Sequence, residues 1–592
     1  MNYVRAVVND IRGRYLFTLT YLILCFVIAM PFNYSNFRLL YTEDGIPAGA
    51  DPAFHAYAIL RILDTNNPLL IYTAFPSIAS ESSSSSYYPS LMHLTVASIS
   101  RIGAGVDQSL TTDPIYVIEV LKIFMLVVSL AGTLGYAMLI KTILNKLVED
   151  KLPDHRIALK ETKYRVLYLI ICILAFGIFV YSISPIVKTF NDGSYGHIFA
   201  MWCIFPYYMY LLLNRRWIVS SVLLAVIASS HNLAFMMSLA ATIPYLISLA
   251  LQKKLPKWNL AKAAIVFIVF ASPALIFFYL PAANLVLEGR AAESAYIPLS
   301  SDMLADQLKP GLYYMGLGCI VLALLLNSRI LGWISGWTLI YFIVFSFSLL
   351  IGQRFARELS VTFGLLIGIC ISYILMMLVL TGKKWSKQRS IGINNTPISS
   401  FKLITVICVS TAIVSLSYLY FEDRFYSDSN PDLVKYFTSS IGESNRYILT
   451  SLGKHNGDSK PVIALFGDNP WLKVMTYGEF EILGISPDNT PYLSRGDKLI
   501  NDELAKIVSS PDVLSTGCNI DKYGIDYVYI SDKIPGRWYS EYSGEAYHKS
   551  LSFFQRLNSS PFLFLEKEFF GEEGEVLRIY AINHNNLKHE CT

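Results

Sequence analysis

Charge is scarce in this chain. Only 16% of its 592 residues are Asp, Glu, Lys or Arg, against 54% hydrophobic residues. A soluble globular domain carries about a quarter charged residues, so the shortage excludes an ordinary water-soluble enzyme. The motifs of soluble catalysis are missing too. There is no G-x-G-x-x-G, no P-loop, no H-E-x-x-H and no G-x-S-x-G, which removes the common nucleotide, zinc-protease and serine-hydrolase signatures. Cysteine pairs of the C-x-x-C type are also absent. Six of the eight cysteines lie in hydrophobic runs, where free Cys acts as a small apolar residue rather than a metal ligand. Cys518 and Cys591 sit in the polar C-terminal part and can pair there if that part is extracytoplasmic.

What the chain has instead is long hydrophobic runs, many of them able to cross the hydrocarbon core as helix. About eleven spans are expected, near 15–32, 117–140, 166–184, 198–213, 217–229, 233–251, 262–281, 312–328, 331–350, 359–381 and 403–421. The first lacks an A-x-A-like cleavage site and reads as a retained signal anchor. Alternate loops hold 22 Lys and Arg, including seven in 141–165, whereas the intervening loops hold eight. Basic loops stay cytoplasmic. One frame follows: N-terminus cytoplasmic, a long first external loop over 33–116, and 422–592 outside. In that frame "YPSLMHLTVASI" (Tyr88–Ile99) is an interfacial or re-entrant helix rather than a span.

The part 422–592 reads differently. Short apolar runs alternate with turns in "PVIALFGD" and "YGIDYVYISD", and "PFLFLEKEFFGEEGEVLRIYAI" reads as a hairpin. A small α/β domain is expected after a membrane domain over 1–421. It carries 25 acidic against 17 basic residues, so the mild basicity of the whole chain is a topology signal and points to no nucleic acid.

Polar groups at membrane level are costly and usually mark function. Here they collect on the external side. The first external loop supplies Asp51 and His55 in "ADPAFHAYAILRIL". "SPIVKTFNDGSYGHIF" supplies Asp192 and His197, "SSHN" supplies His231, and "GQRFARELS" supplies Arg354 and Arg357. Each also has a plainer reading. Asp51 before Pro52 suits a helix N-cap, and "NDGS" suits a turn around Asp192. His55 suits packing, His231 suits capping of helix ends, and the arginines suit contact with lipid headgroups.

In this order and on one side, the motifs resemble the GT-C superfamily of lipid-dependent glycosyltransferases. The texture is most similar to the catalytic subunit of oligosaccharyltransferase. "DPAFHAYAILRIL" resembles its D-P-Y-F-N-Y-R stretch, "YPSLMHLTVA" its Y-P-G-L-M run, and "FNDGSYGHIFAMW" its second acidic motif. "RFARELSVTFGLL" is similar to its phosphate-binding arginine region. The W-W-D-Y-G signature is absent, with "WLKVMTYGEF" (Trp471–Phe480) in its place.

The resemblance implies a polytopic α-helical GT-C-like fold and a donor sugar carried on polyprenyl phosphate or pyrophosphate. The acceptor is a glycan or a protein, and the apolar spans would shelter the prenyl chain among membrane lipid. Asp51 is the first choice for catalytic carboxylate and Asp192 the second. Arg354 and Arg357 would stabilise the leaving phosphate, with His55, His197 and His231 as further substrate-binding candidates. Asp51 and Asp192 suit Mg²⁺ or Mn²⁺, but metal-independent members exist, and the resemblance leaves the metal open. A transporter or flippase, or a glycan polymerase or ligase of the cell envelope, is the alternative.

Overall fold

The computed structural model describes residues 2–42, 46–47, 51–65, 91–105, 107–151, 162–191, 193–280, 308, 310–326, 328–345, 352–389, 439–452, 460–466, 469, 471–483, 512–531, 555, 557–571 and 576–590. The chain forms two compact units. One comprises Met1–Leu39, Met125–Pro273 and Glu293–Asn430; the other comprises Leu40–Phe124, Ala274–Ala292 and Pro431–Thr592.

The first unit is helical. Among the described residues, five helices are long and apolar enough to cross a membrane, or up to seven if each of two bent pairs counts as one span. A helix occupies each expected span position up to 359–381, and 403–421 lies outside the described residues. The bends fall at prolines. α1 (Asn2–Ile28) and α2 (Met30–Leu40) meet at 54°, with Pro31 in the first turn of α2, where a missing N–H is harmless. Asn33 Nδ2 donates to the Ala29 carbonyl across that bend at 3.1 Å. α5 (Pro114–Lys151) follows the first loop, and α6 (Thr162–Ser182) and α7 (Ser184–Asn191) meet at 51° before Pro185.

Helix packing in this unit uses glycines that let a neighbouring helix or ring approach closely, as expected where lipid is as apolar as the side chains. A Cβ on Gly132 of α5 would lie 2.2 Å from the Trp202 ring. That indole donates to the Ser129 carbonyl at 3.0 Å. Gly364 and Gly368, spaced as G-x-x-x-G in the helix Gly352–Arg389, face Ser182 and Ala175 of α6.

The second unit joins the first-loop helices to the C-terminal sheet. α3 (Asp51–Thr65) starts at Asp51, as the Asp-Pro signal predicts, and packs on α4 (Leu91–Ala104), with Phe54 and His55 meeting His93. At 14 residues, α4 is shorter than the roughly 20 residues a span needs. Tyr57 and Asp64 of α3 meet the C-terminal part. Tyr477 stacks edge-on against Tyr57 at 5.7 Å and donates its hydroxyl to Asp64 at 3.0 Å.

The sheet has five strands in the order β2-β1-β3-β5-β4. They are β1 (Val462–Phe466), β2 (Glu481–Leu483), β3 (Tyr527–Ser531), β4 (Leu563–Phe570) and β5 (Val576–Ile582). β1 pairs parallel with β2 and β3, while β4 and β5 form the antiparallel hairpin read from the sequence, with an irregularity between Leu565 and Lys567. Alternate residues feed two cores, Ala464, Phe466, Val528 and Ile530 on one face and Ile463, Leu465, Tyr527 and Tyr529 on the other, which is the period-2 geometry of a sheet covered on both sides. Cys518 is disulfide-bonded; Cys591 lies outside the described residues.

Candidate functional site

The polar residues of the first unit meet where three helix ends come together. Just past the end of α7 stands Gly193, whose φ of +75° is the left-handed conformation that glycine adopts without a Cβ penalty. Ser194 N donates to Thr189 O and Gly193 N to Phe190 O, the two bonds of a Schellman stop. The next helix starts at Tyr195 and runs to Leu213, with a π-helical stretch over Ile198–Ile204 immediately after His197. Such wide turns recur at functional positions.

His231 interrupts the next pair of helices. Its backbone is extended (φ −163°, ψ 125°) between Trp217–Ser230 and Asn232–Leu251, and its side chain accepts the Ala234 amide as an N-cap. The ring thus serves the amide end of Asn232–Leu251, not the helix-end carbonyls expected from the sequence. The ring also stands edge-on to His197, with centroids 4.8 Å apart and the two Nδ1 atoms 3.4 Å apart. On its other side His197 Nε2 lies 2.7 Å from Oε1 of Glu358, in the second turn of Gly352–Arg389. Glu358 is 3% exposed, and His197 and His231 are each 2% exposed.

These contacts fix where protons sit. His231 Nδ1 accepts from Ala234 at 3.3 Å, so it carries a lone pair. His197 Nδ1 faces that nitrogen, and two facing lone pairs would repel; His197 Nδ1 carries the hydrogen. The short His197–Glu358 contact is closed on itself within the bundle. A buried pair of this kind costs about 3–5 kcal/mol when one partner alone is removed. A small cavity of about 10 Å³, the room one water takes, adjoins it, lined by Tyr136, Thr189, Trp202, His197 and Glu358 among others.

The other predicted site residues fall as follows. Asp51 is the first residue of α3 and half-buried. His55, in the second unit, is 2% exposed and shares a 2.7 Å hydrogen bond with His93 of α4, so its imidazole is committed to the α3–α4 interface. Arg354 and Arg357 both lie in Gly352–Arg389, with Arg357 next to Glu358. Asp192 lies outside the described residues. Among the described residues no group of three His, Cys, Asp or Glu is arranged to hold a metal. Both ring nitrogens of His197 are already engaged, and no step is routed through an ion here. Trp471, in the stretch standing where W-W-D-Y-G would, is fully buried and presents no ring to a peptide.

Glu358 is the residue that sequence reasoning passed over. It stands inside "RFARELS", next to the two arginines, and a single carboxylate after Arg reads as local charge balance. Its partner is 161 positions away. The available signal was its place at the start of an otherwise apolar run.

No protein-family model matches the chain, and no curated protein sequence does. Solved structures do. The apo oligosaccharyltransferase of Archaeoglobus fulgidus superposes with a TM-score of 0.56 at 12% identity, covering 87% of this chain and 70% of that one. ArnT from Cupriavidus metallidurans, bound to undecaprenyl phosphate, superposes with a TM-score of 0.50 at 11% identity, covering 96% of this chain and 98% of that one. Both are GT-C glycosyltransferases. At this identity the likeness is one of fold.

Proposed function

We propose that this chain, which shares the GT-C membrane glycosyltransferase fold, moves a sugar or glycan from a polyprenyl-phosphate or pyrophosphate donor to a glycan or protein acceptor at the outer face of the membrane. The observation that carries the reading is the fold match along 96% of the chain to a protein solved with undecaprenyl phosphate. The sequence positions of Asp51, Asp192, Arg354 and Arg357, all in loops that charge counting assigns to the outside, support it.

The chemistry asks for two things. The bond from the sugar anomeric carbon to the phosphate oxygen breaks as the acceptor oxygen bonds to that carbon. The departing phosphate needs positive charge more than it needs a proton, which suits Arg354 and Arg357. The acceptor hydroxyl must give up its proton, and Asp51 is assigned to accept it or to orient the hydroxyl. Asp192 is assigned to the acceptor side, with or without Mg²⁺ or Mn²⁺ shared with Asp51. The C-terminal α/β domain lies outside the cell membrane in this reading.

The test has two arms. Mass spectrometry of lipid co-purifying with the protein should find a polyprenyl-phosphate sugar. With that donor, Asp51→Asn should insert and fold yet lose transfer by about 10²-fold or more, the scale of one general base. Full activity in Asp51→Asn would sink the assignment.

A further inference from the structure

Glu358 has no role in the scheme above, yet its carboxylate is buried in an apolar helix bundle at a cost that calls for a reason. We propose that Glu358 is a positioning residue which, through its bond to His197, sets the rotation of the helix Gly352–Arg389 and so aims Arg357 at the lipid phosphate. This rests on the proposed phosphate-binding role of Arg357.

The argument is geometric. Leu359, Val361, Phe363 and Leu365 are buried along this helix and hold it against its neighbours, but apolar contact is non-directional. A 2.7 Å contact between His197 Nε2 and Glu358 Oε1 is directional. Each residue of a helix turns by about 100°, so the azimuth of Glu358 fixes that of its neighbour Arg357. The other end of the bond is firmly held as well. His197 Nδ1 leans on His231, whose ring caps Asn232–Leu251 through Ala234. His197 also follows the Gly193 stop by only four residues and opens the π-helical stretch Ile198–Ile204. Three helix ends are thus pinned to one azimuth. Nothing in that arrangement places the Glu358 carboxylate on substrate, so it acts through His197.

The pair is a device for direction more than for stability. Replacing a buried ion pair by apolar residues of similar volume is often neutral or stabilising. The double variant His197→Leu/Glu358→Leu therefore folds under either account, and the accounts separate on binding. The experiment measures the affinity of purified full-length protein for undecaprenyl phosphate, alongside thermal unfolding.

If Glu358 positions Arg357, the double variant melts near wild type but binds at least ~10-fold more weakly, about 1.4 kcal/mol. Glu358→Gln, whose amide keeps a bond to His197, stays within about 3-fold of wild type. Wild-type affinity in the double variant would overturn the inference. So would a loss in Glu358→Gln as deep as in the double variant, which would make the charge and not the bond the cause. Arg354→Ala and Arg357→Ala serve as the reference. Unchanged binding in both would remove the phosphate reading itself, an outcome distinct from failure of the Glu358 inference.

Discussion

His93 carries the most distinct chemical signature outside the membrane-spanning helices. It is 1% exposed in α4, its Nε2 is 2.7 Å from His55 Nδ1, and burial pushes its pKa down to about 3. An unfolded histidine titrates near 6.5. The folded pKa is the lower one, so above about 6.5 neither state is protonated and nothing is lost. As pH falls from about 6.5 toward 3, the unfolded chain takes up a proton that the folded chain refuses. Stability then declines by about 1.4 kcal/mol per pH unit. Thermal unfolding between pH 7 and pH 5 should show a fall worth about 2 kcal/mol. His93→Gln, which keeps a polar partner for His55, should flatten the slope; equal slopes in the two proteins would refute this account. The pairing was not legible in the sequence. His55 and His93 each read as lone residues in separate amphipathic runs, and the 25 residues 66–90 that separate α3 from α4 conceal their register. The His197–Glu358 pair was hidden in the same way by its sequence separation, and His231, expected to meet helix-end carbonyls, accepts the Ala234 amide instead.

At the scale of elements, local rules carried furthest where one physical term dominates. Hydropathy located the helices because a span of about 20 apolar residues has few other solutions, and short apolar runs bounded by turn residues located β1, β3 and the β4–β5 hairpin. Packing between helices was less open, although one part of it stood in plain view. "GLLIG" (Gly364–Gly368) is a close-approach motif, and its glycines meet α6 directly. A Cβ on Gly368 would come 2.6 Å from the Ala175 carbonyl oxygen, a backbone atom that cannot swing aside. Gly368→Val should push the helix Gly352–Arg389 away from α6 at a cost of about 1–3 kcal/mol. Gly332→Val is the contrast, because a Cβ there meets nothing within 4 Å. Comparing their melting temperatures in detergent decides the matter, and equal melting would remove close approach as the organising contact. A shift of Gly352–Arg389 would also move Glu358, so lipid-phosphate affinity should fall with stability in Gly368→Val.

For the whole molecule, the open variable is which way it faces, and two physical arguments meet on it. The first is charge. Seven Lys and Arg in 141–165 are expected to resist translocation, and the proposed orientation puts that loop in the cytoplasm. The second is redox chemistry. Cys518 is disulfide-bonded, a state that persists in oxidising compartments and is rare in the cytosol. The helix bearing it, Val513–Lys522, belongs to the domain that charge counting places outside. The proposed orientation requires that α4 stay out of the set of spans, consistent with its 14 residues. Single cysteines provide the measurement. In intact cells a membrane-impermeant maleimide should label Asn586→Cys, an exposed position in the helix His584–Glu590. It should reach Asp154→Cys, in the basic loop, only after permeabilisation. The reverse pattern would invert the frame and move Asp51, Asp192 and the two arginines to the cytoplasmic face, leaving the proposed outer-face transfer without its residues.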